Sequence, residues 1–229
     1  MRTVINRRSA RGGLLSAAVA GSLFLGATGC GGDGDEDGVP DDYKVVAGTQ
    51  LCGGEAMSAD ASKALKAITG SSRFEASAER YTIAQAATSI VETFWDPNVY
   101  RGDVCRVYTP TDMPDFDLRI TWRRVDTAAT GAPASEFTVL KMGERALAAA
   151  DKAYIQFACK SDKLGGSSDV AHIEIGVEHR DPFHEPEGDN KALKDAYATV
   201  THSVSLAMAK QLRCENNGGL PAKPVLDPA

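Results

Sequence analysis

Apolar residues recur at helical spacing in three stretches of the chain, and at every second position in a block between the second and the third. Ser58 precedes a segment to Thr69 in which Ala61, Leu65 and Ile68 share one face, and Gly70 follows; this cap-to-stop pattern predicts a helix. A second helix is predicted from Thr82 to Trp95 by the stripe Ile83, Ala86, Ala87, Ile90, Val91 and Phe94, ended by Asp96-Pro97. The third and longest runs from Lys191 to Arg213, with Asn190 as its expected cap. Leu193, Ala196, Tyr197, Val200, Val204, Ala207 and Met208 make its expected buried face.

Between them the period drops to two. Phe116 to Val125 alternates most clearly, with Phe116, Leu118, Ile120 and Trp122 on one side and Asp117, Arg119, Thr121 and Arg123 on the other. Ala171 to Val177 sets Ile173, Ile175 and Val177 against His172, Glu174 and the following Glu178. Val104 to Tyr108, Phe137 to Met142 and Ala153 to Cys159 read as three further strands, while Ala-rich Glu144 to Lys152 is ambiguous between helix and strand. Strands with one polar face suit an antiparallel sheet covered on its other face by helices. The expected class is therefore α+β, with about five strands, in a single domain over 45–215 followed by an extended Pro-rich tail at 216–229.

The N-terminal pattern is of another kind. Arg2, Arg7, Arg8 and Arg11 precede a short apolar run from Leu14 to Thr28, too short to span a bilayer comfortably, and small residues close it. This is the layout of an export leader over 1–29, and Ala27-Thr28-Gly29-Cys30 resembles a bacterial lipobox, which implies cleavage before Cys30 and lipid on its thiol. Arg7-Arg8 lacks the apolar residues of a twin-arginine signal after it, which favours the general export route. Several acyl chains at about 0.8 kcal/mol per buried CH₂ hold a protein on a membrane durably where one chain does not. The expected location is the outer face of the cytoplasmic membrane, with residues 30–44 as an acidic Gly- and Asp-rich tether.

Charge narrows the partners. The chain carries a net −6, but the leader holds four arginines and no acid, so from Cys30 onward 21 basic residues face 31 acidic ones, or −10. From Tyr43 the balance is 21 against 25, or −4. A mildly acidic domain without a basic patch is expected to be repelled by a phosphate backbone, so nucleic acid is not an expected partner. Membrane contact through Cys30 and an unidentified ligand or envelope protein are.

Cysteine usage fits an oxidising compartment. Lipidation of Cys30 leaves Cys52, Cys105, Cys159 and Cys214, enough for two disulfides. Three pairings are open. The order of elements favours Cys52–Cys214, joining the start of the domain to the end of its last helix, and Cys105–Cys159, joining two strands. With the lipobox, the Leu51-Cys52-Gly53-Gly54 opening, the later cysteines and the last helix ending Lys-Gln-Leu-Arg-Cys, the chain resembles the small lipoproteins of high-GC Gram-positive bacteria. That resemblance implies an envelope location and no particular activity.

Two clusters invite a metal. Asp33, Asp35, Asp37 and Gly38 resemble the opening of a calcium loop, but Lys44 stands where the bidentate Glu would be, and the stretch reads as a solvated spacer. His179 and His184, with Asp181, Glu185, Glu187 and Asp189, lie on one loop and supply zinc- or copper-binding groups at a spacing that fits no established motif. No GxSxG, HExxH, SxxK or P-loop string occurs, and no cofactor is implied. Asp115, Asp117, Glu174 and Glu178 read as a solvated strand face, His172 as part of that face, and His202 as a helix flank. The expectation is a non-catalytic binding or accessory module of the envelope; the alternative is a tethered metal-binding protein or hydrolase working through His179 and His184.

Overall fold

The computed structural model describes residues 44–111, 115–165, 170–180 and 188–229. The leader, Cys30, the aspartates of the tether and His184 with Asp181, Glu185 and Glu187 lie outside the described residues.

Local chemistry sets the helices. In α1 (Ala59–Thr69) the Ser58 hydroxyl accepts from the Ala61 amide at 3.1 Å, and Gly70 takes the left-handed conformation that stops the helix. Its buried positions are Ala61, Ala64, Leu65 and Ile68. Helix α2 (Ile83–Glu92), capped by Thr82, stops a turn short of the expected Trp95. The Arg124 guanidinium accounts for that: it donates to the carbonyls of Phe94, Asp96 and Val99 and holds the chain in a turn there. Helix α3 (Asn190–Gln211) is capped by Asp189, whose carboxylate accepts from the Ala192 amide at 2.9 Å, rather than by Asn190, which is the first helical residue.

Six strands form one antiparallel sheet: β3 (Arg101–Tyr108), β4 (Asp117–Val125), β5 (Thr138–Leu140), β6 (Arg145–Ala148), β7 (Lys152–Cys159) and β8 (Ala171–His179), in the spatial order β3-β4-β8-β7-β6-β5. Two three-residue strands, β1 (Val45–Ala47) and β2 (Arg73–Glu75), pair separately. The α+β class stands, with six strands in the main sheet where about five were expected; the ambiguous segment resolves into β6 and a turn into β7.

Alternation decides the two faces. Ile120 and Trp122 of β4 align with Val177 and Ile175 of β8, and those with Ala153 and Ile155 of β7, all buried. Helix α3 lies across this apolar face on β6, β7 and β8, and α1 packs on α3 from outside. Sandwiched in this way, α3 is buried at every position from Val200 to Ser205, a continuous run rather than the single stripe expected. Its interior hydroxyls are satisfied within the protein: Thr201 donates to the Tyr197 carbonyl, Ser205 to that of Thr201 and Ser203 to that of Ala56. His202, expected on a flank, is 3% exposed and bonds through Nε2 to the Pro221 carbonyl at 2.8 Å. The tail is thereby docked, with Leu220 buried, Pro228 bridged to Leu140 and the Ala229 amide donating to the Val139 carbonyl.

Both disulfides form, with pairings other than those expected. They are Cys52–Cys105 (Cα–Cα 5.6 Å) and Cys159–Cys214 (Cα–Cα 4.8 Å). Strand order overturns Cys105–Cys159, because β4 and β8 stand between β3 and β7 and three steps of about 4.8 Å exceed the reach of a disulfide. Helix α3 ends beside the end of β7, where the Glu215 amide donates to the Lys160 carbonyl, and this brings Cys214 to Cys159.

Candidate functional site

The outer face of the sheet carries the other half of the alternation, and strand register arranges its side chains in rows. One row runs Arg101, Arg123, Glu174, Gln156, Arg145 from β3 to β6. The next runs Asp103, Thr121, Gly176, Tyr154, Leu147, and a third Arg106, Arg119, Glu178, Lys152. Gly176 makes room in the middle row for its neighbours: a Cβ there would stand 3.0 Å from the Tyr154 ring and 3.1 Å from the Thr121 hydroxyl.

Topology puts a wall over these rows. Strand β4 lies in the middle of the sheet and its successor β5 at the far edge, four inter-strand steps or roughly 19 Å away. Because helices occupy the inner face, the connection over residues 126–137 crosses the outer one. Gln156 pins it: this outward residue is buried beneath the loop, donating to the Thr127 carbonyl at 2.9 Å and accepting from the Ala129 amide at 3.0 Å. Phe137 closes the far end, its ring 5.8 Å from that of Tyr154 and 5.6 Å from the Lys152 ammonium.

The result is a cleft of about 760 Å³ with a polar floor and an apolar wall. Arg101, Arg119, Arg123 and Arg145 line it with Glu174 and Glu178; Ala132, Pro133, Ala134 and Phe137 face them from the loop. Two of the arginines are committed. Arg119 holds Asp103 at 2.6 Å, and Arg123 donates through Nε and Nη2 to one oxygen of Glu174, at 3.1 and 2.7 Å. Glu178 accepts from the Tyr154 hydroxyl at 2.5 Å. Burial first, and then this bond and the Glu178 charge, push the Tyr154 phenol above its ordinary value, so it is a neutral donor across the physiological range. Arg101 and Arg145, at the two ends of the first row, form no ion pair among the described residues.

This cleft was not legible as a site. Glu174 and Glu178, expected on a merely solvated face, are partners of Arg123 and Tyr154 within it. The expectation of a domain without a basic patch is corrected by the same rows, which gather six cationic side chains from four strands against three carboxylates. Their separation in sequence hid them; alternating residues on β3 and β4 were the available signal.

Elsewhere, His179 ends β8 with its ring stacked on Phe116 at 4.3 Å, and His172 sits 2.8 Å from the Glu144 carboxylate. Among the described residues no three His, Cys, Asp or Glu side chains are grouped to hold a metal, and no helix is long and apolar enough to cross a membrane. No protein-family model matches the chain, nor does any curated protein or solved structure.

Proposed function

We propose that the chain is a lipid-anchored binding module of the cell envelope, held through Cys30 on the outer face of the cytoplasmic membrane, with the cleft on the outer sheet face as its binding surface. The observation that carries the reading is cysteine usage: four of the five cysteines close two disulfides, and the fifth stands at the end of an export leader. A lipid on that thiol leaves no cysteine idle in an oxidising compartment. The cleft supports a binding role: it is a concave surface lined by four arginines, two of them outside any ion pair among the described residues, around a neutral phenol held by Glu178. The similarity to small lipoproteins of high-GC Gram-positive bacteria points to the same compartment.

Two measurements test it. Mass spectrometry of the mature N-terminus should show an acylated Cys30 as the first residue, and Cys30→Ala should release the protein from membranes. An unmodified Cys30 in mature protein sinks the anchor. Hydrogen exchange of the purified full chain, with and without a total envelope extract, should slow at 119–123 and 145–147. Unchanged exchange there sinks the cleft as the binding surface.

A further inference from the structure

Resting on that reading of the cleft, we infer that its ligand is an acidic oligosaccharide, gripped at both ends by guanidinium groups. The folded part of the chain is acidic, at −4 from Tyr43 onward, yet the surface beneath the loop is basic. Structural ion pairing accounts for Arg119 and Arg123, which have Asp103 and Glu174. It does not account for Arg101 and Arg145. They stand at opposite ends of one row, four strands apart or roughly 19 Å between backbones, and both line the cleft. An extended ligand with acidic groups near each end spans that separation.

The chemistry between the two cations narrows the class. Glu174, Glu178, Thr121 and the Tyr154 hydroxyl offer acceptors and donors interleaved at strand spacing, which suits a ligand rich in hydroxyls. Phe137 and the Ala132–Ala134 segment present an apolar wall opposite, which suits the C–H faces of sugar rings. Tyr100, exposed, holds the Arg101 guanidinium 5.7 Å from its ring. The lining cations are all arginine, whose planar fork meets a carboxylate or phosphate through two parallel bonds. Nucleotide chains carry charge too, but successive bases need separate aromatic platforms, whereas Tyr154 and Phe137 stand together edge to face at 5.8 Å and Trp122 is buried.

The test uses the full chain purified in detergent, titrated calorimetrically with tetragalacturonate, with neutral maltotetraose and with a short oligothymidylate. Tetragalacturonate is expected to bind one to one, at least tenfold tighter than either of the others, and to weaken as salt is raised. Arg145→Gln and Arg101→Gln should each weaken it at least tenfold. Arg145→Lys, which keeps the charge but not the fork, should fall between, and Lys63→Gln, on exposed α1, should change nothing. Thermal unfolding of each variant confirms that the fold is kept. Equal binding of maltotetraose, or indifference to both arginine changes, overturns the acidic ligand while leaving the cleft a binding surface. Tighter binding of oligothymidylate overturns the saccharide. If no probe binds and envelope extract leaves exchange at 119–123 unchanged, the proposal and the reading beneath it fall together.

Discussion

Single side chains in this protein decide more than their size suggests, and Gln156 is the clearest case. It is an outward strand residue, yet the crossing loop buries it and takes both ends of its amide. Replacing it by Leu keeps the strand but leaves the Thr127 carbonyl and the Ala129 amide without a protein partner. The expected cost is about 1–2 kcal/mol in urea unfolding, with faster exchange of the Ala129 amide in the native state. His202 makes a second prediction. Burial lowers its pKa from 6.5, more than the bond to Pro221 raises it, so the folded form stays neutral where the unfolded form takes up a proton. Stability is then fully present above about pH 6.5, declines as pH falls from there, and levels off below the folded pKa, with a slope of at most about 1.4 kcal/mol per pH unit. His202→Gln should abolish that slope relative to the parent between pH 7.5 and 5. Equal slopes in the two proteins would refute it. Neither role was legible: alternation says only that Gln156 faces away from Ile155 and Phe157, and helical periodicity placed His202 on a flank, because neither pattern records what a distant loop or the tail later covers.

At the scale of elements, legibility followed length and regularity. Strand β4 declared itself over nine residues because each alternate position chooses between helices and solvent. Strands β1 and β2, of three residues each, are too short to show a period and went unseen. Helix α3 was found, but its burial was underestimated, since a stripe calculation supposes one packing surface and α3 has the sheet below and α1 above. The joint between α1 and α3 rests on one hydroxyl. Ser203 donates to the Ala56 carbonyl at 2.9 Å and accepts from the Ser58 amide at 2.8 Å, just where Ser58 caps α1. Ser203→Ala removes both partners from a buried position and is expected to cost about 1–3 kcal/mol. Ser203→Thr keeps the hydroxyl and should recover part of that loss. An Ala variant as stable as the parent would show that water or a shift in α1 replaces the hydroxyl.

For the whole molecule, the order of strands is the fact that patterns along the chain do not contain, and both the cleft and the disulfide pairing depend on it. Register alone gathers Arg101, Arg123 and Arg145 into one row, and the helix–strand junction at Lys160 and Glu215 alone sets Cys214 beside Cys159. The pairing has an energetic consequence. Each bridge closes a loop of similar length, with sequence separations of 53 and 55, and on chain-entropy grounds each destabilises the unfolded state by about 4 kcal/mol. Together they approach the 5–15 kcal/mol that is the whole net stability of an ordinary domain. The loops do not overlap: one ends at Cys105 and the other begins at Cys159, so neither bridge shortens the other's loop and their effects should add. Cys52→Ala with Cys105→Ala, and Cys159→Ala with Cys214→Ala, are each expected to lower the urea midpoint by a similar amount. The fourfold variant should lose about the sum and lie near the edge of folding. Reductant should drive the parent to the same point, with loss of near-ultraviolet circular dichroism. If the reduced chain kept the parent's midpoint, the bridges would be ornaments on a fold stable without them, and the tie between this architecture and an oxidising compartment would be broken.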